Sequence, residues 1–325
     1  MMSSSSEQEM DPATLITTNH LRKIMTNAAI VTISKHSINI ELEDPDEYFI
    51  QKAKDELRET PEFIAQGYKE LREYIAGEPN LHLPDDEDFL IKFLRPCKWY
   101  AKSAFRLIQR HFGFRQTYSH IFVNLLPSHE KVAFCSNLLY PLPIRNKDGS
   151  RIILIMGGKK WKPKEVSLDS YFRSLLFLLF VAMTEYKTQI SGVQIILDME
   201  GLTLNHITYI TPTFAKMLVE FIQRCVPLRV KSIHIINQSF LFNMAFAIFK
   251  PFLEEKLRKR IFFHGRNREP LMAHIDKKAL FKMYGGELDE PEELFGTNLW
   301  QLMCQYDVLF KALLEFGYRT NDNKK

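Results

Sequence analysis

Residues 239–259 read SFLFNMAFAIFKPFLEEKLRK, and their character changes half-way along. The first half, Phe240 to Phe249, is apolar apart from Asn243, so a helix here has to be covered on all sides. The second half ends in basic residues that run on to Arg260. The apolar run is shorter than the ~20 residues that a membrane span requires. The stretch indicates either a core helix of an α/β domain or a lid over a cavity that opens against a membrane.

The composition suits a globular intracellular protein. The chain has 325 residues, of which 46% are hydrophobic, enough for a medium domain and a smaller one. A net charge of +4 is too small to favour nucleic acid as a partner. The four cysteines form no CxxC pair, which predicts reduced thiols in a cytosolic protein. The start, MMSSSSEQEMDP, lacks the regions of a signal peptide, so we expect only peripheral membrane contact.

The N-terminal third divides into two parts. Residues 1–44 are expected to form an extension that is partly disordered, with disorder to about Thr26 and short strands at Ala28–Ser34 and Ser37–Leu42. Residues 45–124 predict an all-helical module, because apolar residues recur at helical spacing. Its predicted helices are Tyr48–Glu59, Glu62–Ile75, Asp85–Leu94 and Lys102–Gln116.

Short apolar runs alternate with helices from residue 125 to 290. The predicted strands are Arg151–Gly157, Gly192–Met199, Val230–Asn237 and Arg260–His264. The predicted helices between them are Leu168–Lys187, a helix from Thr211 to about Arg224, and the 239–259 stretch. This alternation predicts an α/β domain with a parallel sheet and right-handed crossovers. Residues 291–325 are expected to form one C-terminal helix, Phe295–Gly317, and a tail.

Signatures of enzyme chemistry are missing from the sequence. No GxGxxG follows a strand, and there is no P-loop, GxSxG or HExxH. Asp198 and Glu200, at a strand end, could act as acid and base or as metal ligands, although bonding of the Gly201 turn is the commoner role. No nucleophile, base and orienting group are brought together. We therefore expect a binding protein without catalytic residues, cofactor or metal.

Basic residues cluster around Trp161, at Arg229 and Lys231, and from Lys256 to Arg260. Such runs are usually solvated faces. An apolar helix with a basic end is also typical of contact with an anionic membrane, at ~1 kcal/mol per basic residue. We expect the apolar half and the basic end to form one continuous helix, kinked at Pro251.

Several motifs, taken in order, resemble the CRAL-TRIO lipid-binding family. From Asp86, DEDFLIKFLRPCK is similar to the last helix of the family's N-terminal domain. The later motifs are DMEG at 198–201, ITP at 210–212, IHIIN at 233–237, KPFL at 250–253 and YGG at 284–286. The resemblance covers about Pro45 to Glu290. It is greatest to the branch that contains the tocopherol carriers, the retinaldehyde carriers and the clavesins.

The resemblance implies a mixed, mainly parallel sheet and helices that enclose a hydrophobic cavity, closed by the 240–253 helix as a mobile gate. By position, the cavity would be lined by Phe172, Leu175, Leu176, Leu179, Leu197, Ile210, Leu218, Phe221, Ile222, Ile233, Ala245, Phe246, Phe249 and Leu253. A basic groove for a phosphoinositide head group would comprise Arg229, Lys231, Lys256 and Arg260.

Two positions depart from the family pattern. Cys97 replaces the second arginine of the FLRAR motif, with Lys98 beside it as a possible substitute. Leu179 stands where the tocopherol carriers have a small hydroxyl residue, which makes this wall less polar.

The expected function is an intracellular carrier that binds a retinoid, tocopherol or similar isoprenoid and exchanges it at phosphoinositide-bearing membranes. The alternative is a phosphoinositide-binding adaptor in endosomal or trans-Golgi trafficking. An α/β enzyme using Asp198 and Glu200 is a third interpretation. In the first two cases the protein would be cytoplasmic and would bind endosomal or trans-Golgi membranes reversibly.

Overall fold

The computed structural model describes residues 10–26 and 30–319. In these ranges the α-helices are Pro12–Leu15, Thr18–Thr26, Glu47–Leu57, Pro61–Ala76, Glu87–Leu94, Ala101–Thr117, Ser119–Phe122, Lys131–Cys135, Leu168–Ala182, Tyr186–Ser191, Leu204–Tyr209, Pro212–Glu220, Phe240–Phe249, Glu255–Arg258, Glu269–Met272, Phe295–Cys304 and Asp307–Leu314. The strands are β1 (Val31–Ile33), β2 (His36–Ile38), β3 (Leu81–His82), β4 (Leu139–Pro141), β5 (Arg151–Ile155), β6 (Val193–Asp198), β7 (Val230–Ile236), β8 (Ile261–Gly265) and β9 (Gly317–Tyr318).

A five-stranded sheet in the order β4-β5-β6-β7-β8 forms the centre of the molecule. Strands β5 to β8 are parallel neighbours, and β4 pairs antiparallel with β5. The prediction of a mixed, mainly parallel α/β sheet is therefore confirmed. Strand β4 was not predicted, because three residues ending in Pro141 give little strand signal. An edge position tolerates that proline, which cannot donate to the ladder.

The four predicted helices of the N-terminal module are present. Asp86 caps one of them, because its carboxylate accepts a hydrogen bond from the backbone N–H of Phe89 at 2.8 Å. Glu59 links separate segments of the module. Its carboxylate pairs with Arg95 at 2.7 Å and accepts a hydrogen bond from the Trp99 indole at 3.1 Å. Both carboxylate contacts are largely buried, so they fix how the helices meet.

The prediction of disorder up to Thr26 is wrong for residues 10–26. Two helices form there, and Leu21 is 1% exposed. The Thr18 hydroxyl donates to Asp88 at 2.6 Å and so ties this segment to the helical module. Residues 1–9 and 27–29 lie outside the described residues, as do Ala28 and Ala29 of the predicted first strand. The second predicted strand is β2, which ends four residues before Leu42.

A buried ion network holds the end of the N-terminal extension against the sheet. Glu41 accepts from Arg145 at 3.1 Å and from Arg151 at 3.0 Å, and both arginines also bind Glu185. Burial raises the pKa of Glu185, but the two guanidinium groups outweigh it and lower the pKa to about 2. Because the partners lie over 100 residues from Glu41, local sequence patterns do not reveal this anchor.

Two long predicted helices are each divided. The chain leaves the helix after Ala182 and begins another at Tyr186, so Leu168–Lys187 is not continuous. Likewise, a turn at Gln305 and Tyr306 divides the predicted Phe295–Gly317 helix. The second turn buries the Tyr306 side chain, which is 2% exposed and adds apolar area to the core.

Candidate functional site

A partly open apolar cavity of about 200 Å³ lies against one face of the sheet. Strand β6 contributes Ile195 and Leu197 to it, and β7 contributes Ile233 and Ile235. These residues share a face because side chains alternate along a strand with a period of two. The register places Ile195 opposite Ile233, so the sheet forms one continuous apolar wall.

Helices supply the opposite wall at helical spacing. Leu168, Tyr171, Phe172 and Leu175 line the cavity from the first two turns of the Leu168–Ala182 helix. The Pro212–Glu220 helix and the turn after it contribute Phe214, Leu218, Val219 and Ile222. Thr211 caps the start of that helix by accepting from the Phe214 N–H at 3.1 Å, as its sequence predicts.

The Phe240–Phe249 helix, which we call the gate helix, closes the cavity. Phe242, Ala245, Phe246 and Phe249 face inward at positions i, i+3, i+4 and i+7. The opposite face is not covered, since Phe240 is 76% exposed and Met244 is 43% exposed. The protein therefore covers only one side of this helix, and its outer face offers apolar surface.

The gate helix and the basic end do not form one continuous helix. The gate helix ends at Phe249, a 3₁₀ turn spans Lys250–Phe252, and a new helix begins at Glu255. Pro251 provides no N–H for a helical hydrogen bond, and Leu253 adopts an extended conformation (ψ 119°). Leu253 and Leu257 nevertheless line the cavity, so both helices contact the same space.

Eleven of the fourteen predicted cavity residues lie on its wall, and Leu176, Leu179 and Phe221 do not. Leu176 is fully buried and lies about 100° around the helix from Leu175. Leu179 lies beyond the two turns that reach the cavity. Phe221 packs instead between Phe114 and Phe172, each at 5.3 Å between ring centroids. These three residues belong to the surrounding core.

The wall also includes residues that the resemblance did not indicate. They are Ile155, Gly157, Trp161, Leu168, Tyr171, Ile195, Met199, Leu202, Phe214, Val219, Ile235, Phe242, Leu257 and Ile261. Periodicity could have found several of them. Ile195 and Ile235 are two residues from predicted wall positions, and Leu168 lies four residues before Phe172.

The cavity lining carries almost no hydrogen-bonding groups. Among its side chains, N–H and O–H groups occur only on Trp161 and Tyr171. The Trp161 indole donates to the carbonyl oxygen of Val166 at 2.9 Å. Within the described residues, the Tyr171 hydroxyl has no hydrogen-bond partner, and burial raises its pKa above the ordinary value.

Two of the four predicted groove residues share one carboxylate. Glu56, from the helical module, pairs with Arg229 at 2.6 Å and with Lys231 at 3.5 Å. The Arg260 guanidinium donates to the carbonyl oxygen of Val230 at 2.5 Å. Burial and the neighbouring Arg229 lower the pKa of Arg260, which shows that the two guanidinium groups are close. The groove thus joins both parts of the chain.

The fourth predicted residue, Lys256, lies near the position that departs from the family pattern. Burial raises the pKa of the Cys97 thiol to about 11, and the charges of Lys256 and Arg110 oppose that shift. Arg110 was not predicted, yet it places an exposed cation near Cys97. Lys98, the suggested substitute, is exposed in a left-handed turn (φ 54°).

Comparisons with known proteins identify the family of this chain. The sequence model of the CRAL/TRIO domain matches residues 136–286. A mouse protein named "Alpha-tocopherol transfer protein-like" is 30% identical over 275 residues, covering 82% of this chain and 80% of that protein. This chain belongs to the CRAL-TRIO family. Mouse "Clavesin-1" is 30% identical over 241 residues, covering 74% of this chain and 68% of that protein. The structure titled "Crystal structure of Sfh5" aligns with a TM-score of 0.45 at 13% identity, over 75% of this chain and 89% of that one.

In this CRAL-TRIO chain, Asp198 serves as a structural centre. One of its oxygens accepts from the Glu200 N–H at 2.9 Å and from the Asn237 amide at 2.8 Å. The other accepts from the Tyr284 hydroxyl at 2.6 Å. Asp198 is 2% exposed, whereas Glu200 is exposed. Because both carboxylate oxygens are engaged, the geometry gives no support to an acid–base pair with Glu200.

In residues 10–26 and 30–319, no group of three or more His, Cys, Asp or Glu side chains is arranged to hold a metal ion. In the same part of the chain, no helix is long and apolar enough to cross a membrane.

Proposed function

We propose that this protein carries a small hydrophobic lipid, a retinoid, tocopherol or similar isoprenoid, and does not catalyse a reaction. The apolar cavity under the gate helix carries this proposal. Each buried CH₂ group contributes ~0.8 kcal/mol, so a lipid with ten such groups gains ~8 kcal/mol. That gain offsets the free energy that the lipid loses when it leaves a bilayer. A relative named for tocopherol transfer is consistent with such a cargo.

The size of the cavity requires the gate to move for a larger cargo. The cavity has a volume of about 200 Å³. Pockets for drug-sized ligands are larger, at about 300–1,000 Å³. The exposed Phe240 and Met244 give an outward-moving gate helix an apolar surface to place in a membrane. Lipid entry would thus be coupled to membrane contact.

Native mass spectrometry of the protein extracted from cells tests the carrier function. We expect a stoichiometric apolar ligand that is lost when the protein is mixed with empty vesicles. An empty protein that binds phosphoinositide head groups tightly would overturn the carrier and favour the adaptor in endosomal or trans-Golgi trafficking.

We further propose that exchange occurs where phosphoinositides mark the membrane, on endosomal or trans-Golgi surfaces. Arg229, Lys231, Lys256 and Arg260 would bind the phosphates, since clustered cations suit phosphorylated head groups. The short Glu255–Arg258 helix connects the two sites, because Leu257 lines the cavity and Lys256 precedes it in the chain. Movement of this helix on head-group binding would disturb the cavity wall directly.

The coupling predicts the behaviour of a double variant, Lys256→Ala with Arg260→Ala. Transfer of lipid to vesicles containing a bisphosphorylated phosphoinositide should lose its acceleration, while ligand affinity in solution stays unchanged. Lys259→Ala is the matched control, because Lys259 pairs with Glu255 at 2.7 Å on the exposed surface. If the double variant still transfers faster to phosphoinositide vesicles, the basic cluster is only a solvated face.

A further inference from the structure

One polar group of the cavity has no role in holding the fold. The Tyr171 hydroxyl lies on a wall that is otherwise apolar, and no group in the described residues pairs with it. Tyr171 is half-buried, and a hydroxyl on an apolar wall gains free energy when it finds a hydrogen-bond partner. The other N–H donor on the wall, the Trp161 indole, is satisfied by Val166. The Tyr171 hydroxyl can therefore donate a hydrogen bond to a ligand.

The hydroxyl lies beside the backbone of Gly157. Gly157 also lines the cavity, and a Cβ atom at this position would lie 3.3 Å from the Tyr171 hydroxyl oxygen and 3.2 Å from a Leu197 methyl group. Such contacts are tighter than most packed side chains allow. A side chain at position 157 would therefore crowd the hydroxyl, which lies near the carboxyl ends of β5 and β6.

We propose that Tyr171 is the polar anchor of the cavity and donates a hydrogen bond to a single oxygen atom at one end of the lipid. The assignment rests on the proposed carrier function and names its ligand class, a neutral lipid that ends in an alcohol, phenol, aldehyde or ketone. None of the lining side chains is charged. A carboxylate would therefore be buried without a cation, which disfavours fatty acids and other acidic lipids.

The substitution Tyr171→Phe tests the anchor, because it removes the hydroxyl and keeps the ring. Two probes are compared: all-trans-retinol and the hydrocarbon that lacks only its hydroxyl group. Binding is followed by the change in tryptophan fluorescence, because Trp161 lies on the cavity wall and its ring is 5.9 Å from that of Tyr171. We expect Tyr171→Phe to bind retinol about fivefold more weakly, the effect of one lost hydrogen bond. Its affinity for the hydrocarbon should be unchanged or slightly higher.

A matched control and a third probe complete the experiment. Tyr209→Phe changes a tyrosine that is 38% exposed and lies outside the cavity lining, so it should bind both probes like the wild type. Retinoic acid should bind the wild type at least tenfold more weakly than retinol at neutral pH. Thermal unfolding followed by circular dichroism shows whether Tyr171→Phe keeps its fold.

The outcomes separate the anchor from the carrier function. An equal loss of affinity for retinol and for the hydrocarbon, or no loss for either, would show that the hydroxyl does not anchor the ligand. The carrier function would survive that result. A wild-type protein that takes up neither probe would instead overturn the isoprenoid carrier, and the anchor with it.

Discussion

Neighbouring residues on one helix have different roles in this protein. Leu175 lines the cavity, whereas Leu176 is fully buried in the core and does not reach it. Family resemblance placed both on the wall, because it transfers a stretch of positions without the angle at which each side chain leaves the helix. The distinction matters for mutagenesis, since the same substitution has different consequences at the two kinds of position.

An aspartate at the gate and one in the core should therefore behave differently. Phe246→Asp places a carboxylate on a partly buried gate residue that packs against Phe242 and Phe263 at 5.7 Å and 5.3 Å between ring centroids. We expect loss of lipid binding with a nearly native circular dichroism spectrum. Leu176→Asp should unfold the protein, because a buried unpaired carboxylate costs several kcal/mol. If Phe246→Asp unfolds as readily as Leu176→Asp, the gate helix is an ordinary part of the core.

Among the helices, Glu47–Leu57 has the most direct effect on the basic groove. Its Glu56 carboxylate lies between Arg229 and Lys231, where a phosphate group of a ligand would bind. Burial raises the pKa of Glu56, but hydrogen bonds from Lys52 and Arg229 outweigh it and lower the pKa to about 2. Glu56 is thus ionised at neutral pH and competes with an incoming anion for the same cations.

We therefore expect Glu56→Gln to strengthen binding to phosphoinositide vesicles. The substitution removes the negative charge that lies among Lys52, Arg229 and Lys231. It should therefore raise the affinity for phosphoinositide vesicles several-fold at physiological ionic strength, and less at high salt. Vesicle co-sedimentation across a series of salt concentrations measures this. Asp55→Asn is the matched control, because Asp55 lies next to Glu56 on the same helix but is exposed. Weaker binding by Glu56→Gln would show that Glu56 orders the cations instead of competing for them.

The elements differ in how well the sequence predicts them. The parallel strands were found because β5 to β7 are short apolar runs, and the Glu87–Leu94 helix was found because its apolar residues recur at helical spacing. The helices of residues 10–26 were missed because their stability comes from distant contacts, such as Thr18 to Asp88. The break after Phe249 was missed because Pro251 indicates a kink as readily as a turn.

At the scale of the whole molecule, the two faces of the sheet differ in polarity. One face is the apolar cavity wall. The other carries a buried network in which His234 contacts His264 at 2.9 Å and Ser232 at 2.8 Å, and Ser232 donates to Gln194 at 2.7 Å. A second buried histidine, His111, hydrogen-bonds the carbonyl oxygen of Cys225 at 3.1 Å and joins the helical module to the lipid-binding part.

These histidines predict that acid destabilises the protein. Burial, with help from neighbouring charges, lowers the pKa of His111 and of His234 to about 3 each, against about 6.5 in an unfolded chain. Between these values the unfolded state binds more protons than the folded state. The free energy of unfolding should therefore be constant above about pH 7 and fall below about pH 6.5, by up to ~1.4 kcal/mol per pH unit for each histidine.

Urea unfolding at pH 7.5, 6.5, 5.5 and 4.5 measures this dependence. The carboxyl groups of Glu56 and Glu185, with pKa values of about 2 against a usual value near 4.5, begin to contribute below about pH 5.5, so the interval from pH 7.5 to 5.5 isolates the histidines. His111→Gln should reduce the slope there, and His82→Gln, which changes an exposed histidine, should leave it unchanged. A flat profile between pH 7.5 and 4.5 in the wild type would show that the buried histidines find protonated partners without loss of packing, contrary to this account.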